Sequence, residues 1–266
     1  MRVVFRPFIA LGLAVALAGC ATPPPADDAA AVAEFRETND PMEPTNRVFY
    51  EINDGIDTVL VRPIAQGYRA VVPPPVRTGV HNVLNNLGAP VVLANDMLQA
   101  KPARAGDTLM RFLINTTVGV VGILDVAKEW GYPYHDNGFG TTLALWGVDE
   151  GPYLFLPVLG PSSPRDAVGF GVDFVTDPWS WVGSGVAITI FDWTRFGLSA
   201  IDTRERYLDA TDAIKKTALD PYATFRSLYR QHRNSEIEAA RQDNRRTVPN
   251  WFAQPQGSPP AATTAR

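Results

Sequence analysis

The sequence predicts a protein that is mostly or wholly α-helical. Apolar residues recur at helical spacing in several segments, capping signals mark helix starts, and no series of alternating strands joined by hairpin turns is present. The 266 residues include 23 prolines and 21 glycines, which indicates many short elements with abrupt ends. We therefore expect a single all-α domain with short connections.

Three amphipathic segments are marked by residues that return every three or four positions. The first is expected to end at Arg62-Pro63 and the second at Gly88 and Pro90, because proline has no amide hydrogen with which to continue a helix. The positions are Val48, Phe49, Ile52, Ile56, Val59 and Leu60 in the first segment, Val76, Val80, Val83, Leu84 and Leu87 in the second, and Leu109, Phe112, Leu113 and Thr116 in the third.

Two further helix starts can be placed from capping signals. Ser163-Pro164-Arg165-Asp166 combines an N-cap residue, a proline at the first helical position and an acidic residue in the first turn. Asp220-Pro221 has the same pattern and is expected to open a last helix that continues past Arg233. Both signals add helices to the C-terminal half of the chain.

The N-terminus has the composition of a bacterial lipoprotein signal. Arg2 and Arg6 precede an uncharged apolar run, which ends in Leu17-Ala18-Gly19-Cys20. We expect cleavage before Cys20 and acylation of this single cysteine, and the alternative is an ordinary signal peptide with a chance cysteine. Ala21, where aspartate would favour the inner membrane, favours sorting to the outer membrane. The expected organisation is a signal peptide (1–19), a lipidated flexible tether (20–38), a helical domain (39–246) and a disordered tail (247–266).

The charge balance argues against nucleic acid as a partner. The formal net charge of −4 becomes −6 once Arg2 and Arg6 are removed with the signal. Nucleic-acid binding proteins present a basic face instead. We therefore expect no nucleic-acid binding.

Four uncharged stretches in the middle of the chain are too short to span a bilayer, which takes about 20 apolar residues. They are residues 112–124, 137–148, 151–164 and 178–191. Two interpretations are open: they form a buried core, or they enter one membrane leaflet and return. Aromatic residues of the kind enriched at membrane interfaces favour the second. These are Trp130, Tyr132, Tyr134, Trp146, Tyr153, Trp179, Trp181 and Trp193.

Enzyme motifs are not recognisable. Ser184 lies in Gly183-Ser184-Gly185, which lacks the spacing of a nucleophile elbow. The histidines are scattered outside any metal-ligand pattern, and His135-Asp136 has no marked nucleophile beside it. The sequence therefore predicts no enzyme activity, no metal and no cofactor.

Many spaced motifs between about Asn39 and Arg233 resemble the MlaA/VacJ family of outer-membrane phospholipid-transport lipoproteins. The most specific block runs from Phe139-Gly140 through Trp146-Gly147-Val148 and Gly151-Pro152-Tyr153 to Arg165-Asp166. The other matching residues are Asn39-Asp40-Pro41-Met42-Glu43, Asn46-Arg47, Phe49, Asn53, Arg62-Pro63, Tyr68, Asn82, Asn85-Asn86-Leu87, Pro90, Asn95, Leu98-Gln99, Arg111-Phe112, Asn115-Thr116-Thr117, Gly119, Gly122, Asp125, Asp220, Tyr222, Arg226, Tyr229 and Arg233.

This resemblance implies a ring-like helical domain partly embedded in one leaflet, the inner leaflet of the outer membrane. An amphipathic channel through the ring would take misplaced phospholipids from the outer leaflet and pass them to a soluble periplasmic (MlaC-like) carrier. The ring would sit against a trimeric porin, with its lipid anchor at the periplasmic face of the outer membrane. The alternative is a structural porin-associated lipoprotein without transport activity, and a lipid hydrolase is a more distant one.

Neutral polar residues are the candidates for the lipid path, because they can solvate a phosphate without trapping it. These are Asn82, Asn85, Asn86, Asn95, Asn115, Thr116 and Thr117, with Arg47 and Arg111 as candidates for a transient phosphate contact. The alternative for each is a structural hydrogen bond or a cap. We expect leucine at Asn86 and Asn115 to keep the fold.

A segment rich in glycine and proline is the candidate gate. Its residues are Gly138, Gly140, Gly147, Gly151, Pro152, Pro157, Gly160 and Pro161. A bent segment of this composition can move between two arrangements. The alternative is a rigid irregular loop.

Overall fold

The computed structural model describes residues 25, 27–38, 40–181 and 185–242, so the expected lipidation site Cys20 and the expected tail lie outside the described residues. The helices are α1 (Ala29–Thr38), α2 (Glu43–Ile56), α3 (Arg62–Val71), α4 (Pro74–Leu98), α5 (Pro102–Thr117), α6 (Val126–Glu129), α7 (Phe139–Leu145), α8 (Pro164–Thr176), α9 (Val186–Arg206), α10 (Leu208–Thr217) and α11 (Pro221–Arg241). A π-helical turn (Asp57–Val61), a 3-10 turn (Pro178–Ser180) and two strands, β1 (Leu154–Leu156) and β2 (Gly160–Ser162), complete the elements. The expected, mostly helical fold class is confirmed.

The segment before the domain differs from the expected flexible tether. Helix α1 occupies Ala29–Thr38, and its sequence contains four alanines. Alanine has the highest intrinsic helix propensity, which explains local helix formation in a stretch whose composition otherwise suggests a linker.

The first amphipathic helix does not end at Arg62-Pro63, so that prediction is wrong. Helix α2 passes through the π turn directly into α3. The amide of Arg62 donates to the carbonyl of Asp57, five residues earlier, instead of to the residue four back. This wider turn changes the hydrogen-bond register just before Pro63, whose missing amide hydrogen would otherwise break the helix.

The second helix also continues past its predicted end. Helix α4 runs through Gly88 and Pro90 to Leu98. Pro90 cannot donate to the carbonyl of Asn86, but α4 packs along α5 and against α7 and α9, and this packing outweighs the lost bond. Trp179 Nε1 also donates to the neighbouring carbonyl of Leu87 at 2.6 Å.

Both predicted N-caps are confirmed. Ser163 Oγ accepts the amide of Asp166 at 3.2 Å and opens α8. Asp220 Oδ1 accepts the amide of Ala223 at 3.1 Å and opens α11. A side-chain acceptor at this position satisfies one of the backbone donors that a helix start leaves free.

A short β-hairpin, which the sequence did not predict, is clamped by two asparagines seven residues apart on α2. Strands β1 and β2 are antiparallel. Asn46 donates to the carbonyl of Tyr153 at 3.0 Å and accepts the amide of Phe155 at 2.9 Å. Asn53 repeats the pattern with the carbonyl of Leu156 and the amide of Val158. Because each strand has only three residues, these side chains supply much of what fixes the hairpin.

The hairpin packs into an aromatic cluster that joins the two ends of the domain. Tyr153 and Phe155 of the hairpin and Tyr222 of α11 are buried together. Phe49, Tyr50 and Tyr229 pack around them, with several edge-to-face ring contacts. Helices α2 and α11 are thereby held together through the hairpin.

Contacts between elements close into a circuit, so the expected ring is confirmed. Helix α2 contacts β1, β2 contacts α11, and α11 contacts α7. Helix α7 contacts α4, α4 contacts α9, and α9 contacts α3, which continues α2. The chain therefore returns to its starting element through successive tertiary contacts.

Ion pairs join the π turn, α3 and the start of α4 to α9 and α10, a boundary that we call the seam. Arg204 donates to the two carboxylate oxygens of Asp57 at 2.6 and 2.9 Å, and Lys215 adds a third bond at 3.0 Å. The other pairs across the seam include Arg62–Asp212, Arg69–Glu205, Arg69–Asp209 and Arg77–Glu205. Electrostatic pairing therefore dominates this side of the ring.

The pattern of burial is inverted relative to a water-soluble protein. Among the described residues, 20 buried side chains are polar or charged and only 13 are apolar. At the same time, 35 large apolar side chains are exposed. Within the described chain, no helix combines the length and apolarity needed to cross a membrane. Hydrogen bonds and ion pairs, more than a large apolar core, therefore hold this fold together.

Asn46→Leu should destabilise the fold more than Asn53→Leu. Leucine at Asn46 would leave the buried backbone groups of Tyr153 and Phe155 unpaired, which should lower the free energy of unfolding by about 2–4 kcal/mol. Asn53 is half-buried, so water can replace its bonds. Chemical unfolding of both variants in detergent, followed by circular dichroism, measures the difference, and equal losses would contradict the clamp at Asn46.

The seam should weaken in acid. Burial raises the pKa of the Asp57 carboxyl, but hydrogen bonds from Arg204 and Lys215 outweigh burial and hold the pKa below its ordinary value. A carboxylate with a lowered folded-state pKa stabilises the fold above its unfolded-state pKa of about 3.9 and loses that contribution as pH falls through the folded-state value. We therefore expect Tm to fall steeply only below about pH 4.

Asp57→Asn should flatten this acid response, because asparagine cannot gain the proton. Tm measured from about pH 3 to about pH 7 gives the comparison, with Asp149→Asn, an exposed site outside the seam, as the control. An Asp57→Asn protein whose pH profile matches that of the wild type would show that Asp57 does not carry the acid response.

Candidate functional site

A polar cleft lies between α4 and α5. Asn82, Asn85 and Asn86 occupy positions i, i+3 and i+4 on one face of α4 and line the cleft together. The other polar lining residues are Thr108, Arg111, Asn115, Asp125, Tyr134 and His135. The cavity volume is about 30 Å³, which is room for about one water molecule.

The charge in the cleft is an ion pair. Arg111 Nη2 lies 2.8 Å from both oxygens of Asp125, and Nη1 donates to the carbonyl of Tyr132 at 2.7 Å. Burial raises the pKa of the Asp125 carboxyl, but hydrogen bonds from Arg111 and Asn115 outweigh burial and lower it, so Asp125 stays ionised at neutral pH. The pair contributes no net charge to the cleft.

Each asparagine of the cleft already has a partner within the protein. Asn82 donates to the carbonyl of Ile123 at 3.0 Å, and Asn86 donates to Thr116 Oγ1 at 2.9 Å. Asn85 Nδ2 lies 2.9 Å from His81 Nε2, and the other ring nitrogen of His81 lies 2.8 Å from Asp202.

Asn115 holds the backbone that follows α5. Its Nδ2 donates to Asp125 at 3.0 Å, and its Oδ1 accepts the amide of Ala127 at 3.0 Å. The expectation that leucine at this position keeps the fold therefore meets a physical objection, because leucine would leave a buried amide unpaired.

Three of the predicted path residues lie apart from the cleft. Arg47 pairs with Asp220 at 2.6 Å, and its guanidinium stacks over the Tyr222 ring at 4.5 Å. Thr117 donates to the carbonyl of Leu113 within its own helix. Asn95 is buried and donates to Asp173 at 2.9 Å. A role for these three in the lipid path stays a prediction.

A buried polar network that the sequence did not predict adjoins the cleft. Asp96 is fully buried and accepts hydrogen bonds from Thr108 at 2.7 Å and Asn137 at 2.8 Å. His135 Nε2 lies 2.8 Å from the same carboxylate, and Arg104 Nε lies 3.6 Å away. Burial raises the pKa of the Asp96 carboxyl, but the bonds from His135, Thr108 and Asn137 outweigh burial and hold it below its ordinary value. His135 Nδ1 is buried without a hydrogen-bond partner among the described residues.

The hydroxyl nearest to His135 does not form a nucleophile–base–acid arrangement. In a hydrolytic triad, the acid and the nucleophile contact opposite nitrogens of the histidine ring. Here Asp96 and Thr108 both lie at Nε2, at 2.8 and 3.3 Å, and Thr108 donates its hydroxyl hydrogen to Asp96. The geometry thus lacks the arrangement in which a histidine, held by an acid on its far nitrogen, takes the proton of the nucleophile.

The candidate gate is divided between a tight helix crossing and a looped segment. Gly140 in α7 lies against Gly169 in α8, and a Cβ on Gly169 would come within 2.2 Å of the Gly140 amide nitrogen. Gly138 is the N-cap of α7, and Pro161 pairs with Phe155 in the hairpin. Gly147, Gly151 and Pro152 lie between α7 and the hairpin, Pro157 lies in the connection between its strands, and Gly160 begins β2. Movement of this segment stays a prediction.

The loop after α5 (residues 118–124, the apolar loop) exposes five large apolar side chains. Val118, Val120, Val121, Ile123 and Leu124 are between 47% and 64% exposed. Val120 and Val121 have φ of 55° and 58°, a left-handed conformation that costs roughly 1–2 kcal/mol for a residue with a side chain at Cβ. The structure thus maintains strained backbone in a loop whose side chains have little packing.

Comparison with known proteins identifies the family. The model of the MlaA lipoprotein family matches residues 38–236. This chain belongs to the MlaA lipoprotein family. A Haemophilus influenzae family member, the intermembrane phospholipid transport system lipoprotein MlaA, is 36% identical over 228 residues, which cover 84% of this chain and 86% of that protein. The Escherichia coli K12 protein of the same name is 35% identical over 197 residues, 73% of this chain and 76% of that protein.

A solved structure from work on the structural basis for maintenance of bacterial outer membrane lipid asymmetry has the same fold. Its TM-score with this chain is 0.64 at 30% sequence identity, and the match covers 76% of this chain and 98% of that chain. The cleft, the buried network and the apolar loop of this chain lie within the residues that match the MlaA family model.

Asn115→Leu should destabilise the MlaA fold more than Asn82→Leu. Loss of the bond to the Ala127 amide should lower the free energy of unfolding by about 1–3 kcal/mol. Asn82 is more exposed, and water can replace its bond to the Ile123 carbonyl. Chemical unfolding in detergent compares the two variants, and equal stability of Asn115→Leu and wild type would argue that the Asn115 bonds are dispensable.

Proposed function

We propose that this lipoprotein removes misplaced phospholipids from the outer leaflet of the outer membrane and passes them along a polar path to a soluble periplasmic carrier. Relatives 35–36% identical to it are named as lipoproteins of an intermembrane phospholipid transport system. Its likeness to a structure studied for outer-membrane lipid asymmetry points in the same direction.

The inverted burial carries this proposal. A protein that moves a phospholipid through a leaflet needs an apolar exterior against acyl chains and a polar interior for the head group. The described residues have this distribution, with more polar than apolar side chains among the buried ones. A charged head group in hydrocarbon would cost several kcal/mol or more, so a path for it must offer hydrogen bonds or water.

The aromatic residues support partial immersion in one leaflet. Trp130, Trp146, Trp181 and Trp193 are each more than half exposed. Tryptophan is enriched where hydrocarbon meets the head-group layer. Together with acyl chains on Cys20, these side chains would hold the ring in the periplasmic leaflet of the outer membrane.

The polar cleft is the candidate segment of the lipid path. The resemblance to the MlaA family also suggests two protein partners. Neutral amides and an internally neutralised ion pair can exchange hydrogen bonds with a phosphodiester without trapping it. A trimeric porin would hold the ring in the membrane, and an MlaC-like carrier would collect the lipid in the periplasm. The glycine- and proline-rich segment from Gly138 to Pro161 would control passage.

A second candidate function is a structural lipoprotein that docks on a porin and moves no lipid. The observation in its favour is that the cleft asparagines bond to protein groups and enclose room for about one water. On this interpretation the polar residues are structural, and the cleft never opens.

Phospholipid exposure on the cell surface separates the two functions. Deletion of the gene should raise surface phospholipid, measured by chemical labelling and by sensitivity to detergent with chelator, and the wild-type gene should restore the original level. Cys20→Ser should fail to restore it, because the unlipidated precursor does not reach the outer membrane. If deletion leaves surface phospholipid unchanged, transport is wrong and the structural function takes its place.

A further inference from the structure

The apolar loop is preorganised and not simply flexible. The amide of Gly122 donates to the carbonyl of Asn115 at 2.7 Å, and the amide of Leu124 donates to the carbonyl of Gly119 at 2.9 Å. Two of its valines are fixed in the left-handed region by these bonds. A loop that keeps backbone strain and exposes its apolar side chains indicates a function for that surface.

The loop lies directly beside the polar cleft. Asn82 donates to the carbonyl of Ile123, so a cleft side chain is bonded directly to the loop backbone. Gly122, at φ of 92°, lies so close to Asn86 that a Cβ would come within 2.7 Å of the Asn86 Cβ. Asp125, the anion of the cleft ion pair, follows Leu124 in the chain. Apolar and polar surfaces therefore meet within a few residues.

The apolar loop and the polar cleft together match a phospholipid, which has apolar acyl chains joined to a polar head group. The exposed valines and Leu124 offer apolar contact to an acyl chain. Asn82, Asn86 and Arg111 carry donors that a phosphodiester could take over from their present protein acceptors. Because Asp125 neutralises Arg111, the cleft brings no net charge, which suits a zwitterionic head group such as phosphoethanolamine.

We propose that the apolar loop and the adjoining cleft form a binding site for a single phospholipid, with an acyl chain along residues 118–124 and the head group at Asn82, Asn86 and Arg111. This site rests on the proposed transport function. The cleft opens as the head group replaces the present hydrogen bonds between Asn82, Asn86 and their neighbours.

Val121→Asn tests the site without threatening the fold. Asparagine tolerates the left-handed conformation better than valine, so Tm should stay equal or rise. The same change removes an apolar contact and should weaken binding of phosphatidylethanolamine about tenfold. The control is Val71→Asn, which removes another exposed valine, at the end of α3 and distant in sequence from the loop; Val71 is 81% exposed and Val121 is 64% exposed.

The measurement uses the full lipidated protein in detergent micelles containing fluorescent phosphatidylethanolamine, with free phosphoethanolamine and a single-chain fatty acid as partial probes. Weaker lipid binding by Val121→Asn alone, together with weak binding of both partial probes, supports the site. Equal binding by wild type and Val121→Asn overturns it, and so does equal weakening in both variants, which would indicate general partitioning. Free phosphoethanolamine that binds as tightly as the whole lipid also overturns it, because the loop would then contribute nothing.

Three further outcomes distinguish a lipid site from a protein interface, and failure of this site from failure of transport. If Val121→Asn loses a co-purifying protein but keeps lipid binding, the loop is a protein interface and the lipid site is wrong. If the wild-type protein binds no phosphatidylethanolamine while it still clears surface phospholipid in cells, this site is wrong and the transport function stands. If surface clearance also fails, both are wrong.

Discussion

Asp96 has no contact with solvent, and a buried carboxylate without partners would cost several kcal/mol. The fold must therefore bring donors to it from separate parts of the chain: Thr108 from α5, and His135 and Asn137 from the connection to α7. These bonds help set how α4 and α5 lie together, and that packing places the cleft asparagines opposite Arg111. Neighbouring buried groups extend the same constraint, since Gln99 links Asn137 to Thr142. The same packing of α4 and α5 that brings hydrogen-bond donors to the buried Asp96 carboxylate therefore also forms the cleft.

Continuity of the helices matters as much as pairing. The π turn carries α2 into α3, so that one helical rod bears the hairpin clamp at one end and the seam at the other. Asp57, the first residue of the π turn, is also the carboxylate that Arg204 and Lys215 bind. The irregular turn therefore places an anion on the face toward α9 and α10, and the ring is closed there by electrostatics.

The parts of the structure that the sequence predicts are those governed by local chemistry. Ser163 and Asp220 cap helices because the cap depends on residues three positions apart. The spacing of Asn82, Asn85 and Asn86 also places them on one face, although it does not show that Ile123, His81 and Thr116 would be their partners. Pro63 misled the prediction because the π turn before it shifts the hydrogen-bond register, and Pro90 did so because packing of α4, which no local rule contains, outweighed a lost hydrogen bond. The Asp96–His135 pair joins residues 39 positions apart, and left-handed valines leave no local signal beyond the neighbouring Gly119 and Gly122.

An interior with few apolar groups also determines how stability responds to temperature. The heat-capacity increment of unfolding rises with apolar surface newly exposed to water and falls with polar surface, averaging about 12–15 cal/mol/K per residue in soluble domains. Here many large apolar side chains already lie outside in the folded protein, so unfolding exposes less additional apolar surface. The increment per residue should therefore fall below that range, and the stability curve should be correspondingly flat. The free energy of unfolding of this protein should therefore change more gradually with temperature than that of a soluble domain of the same length.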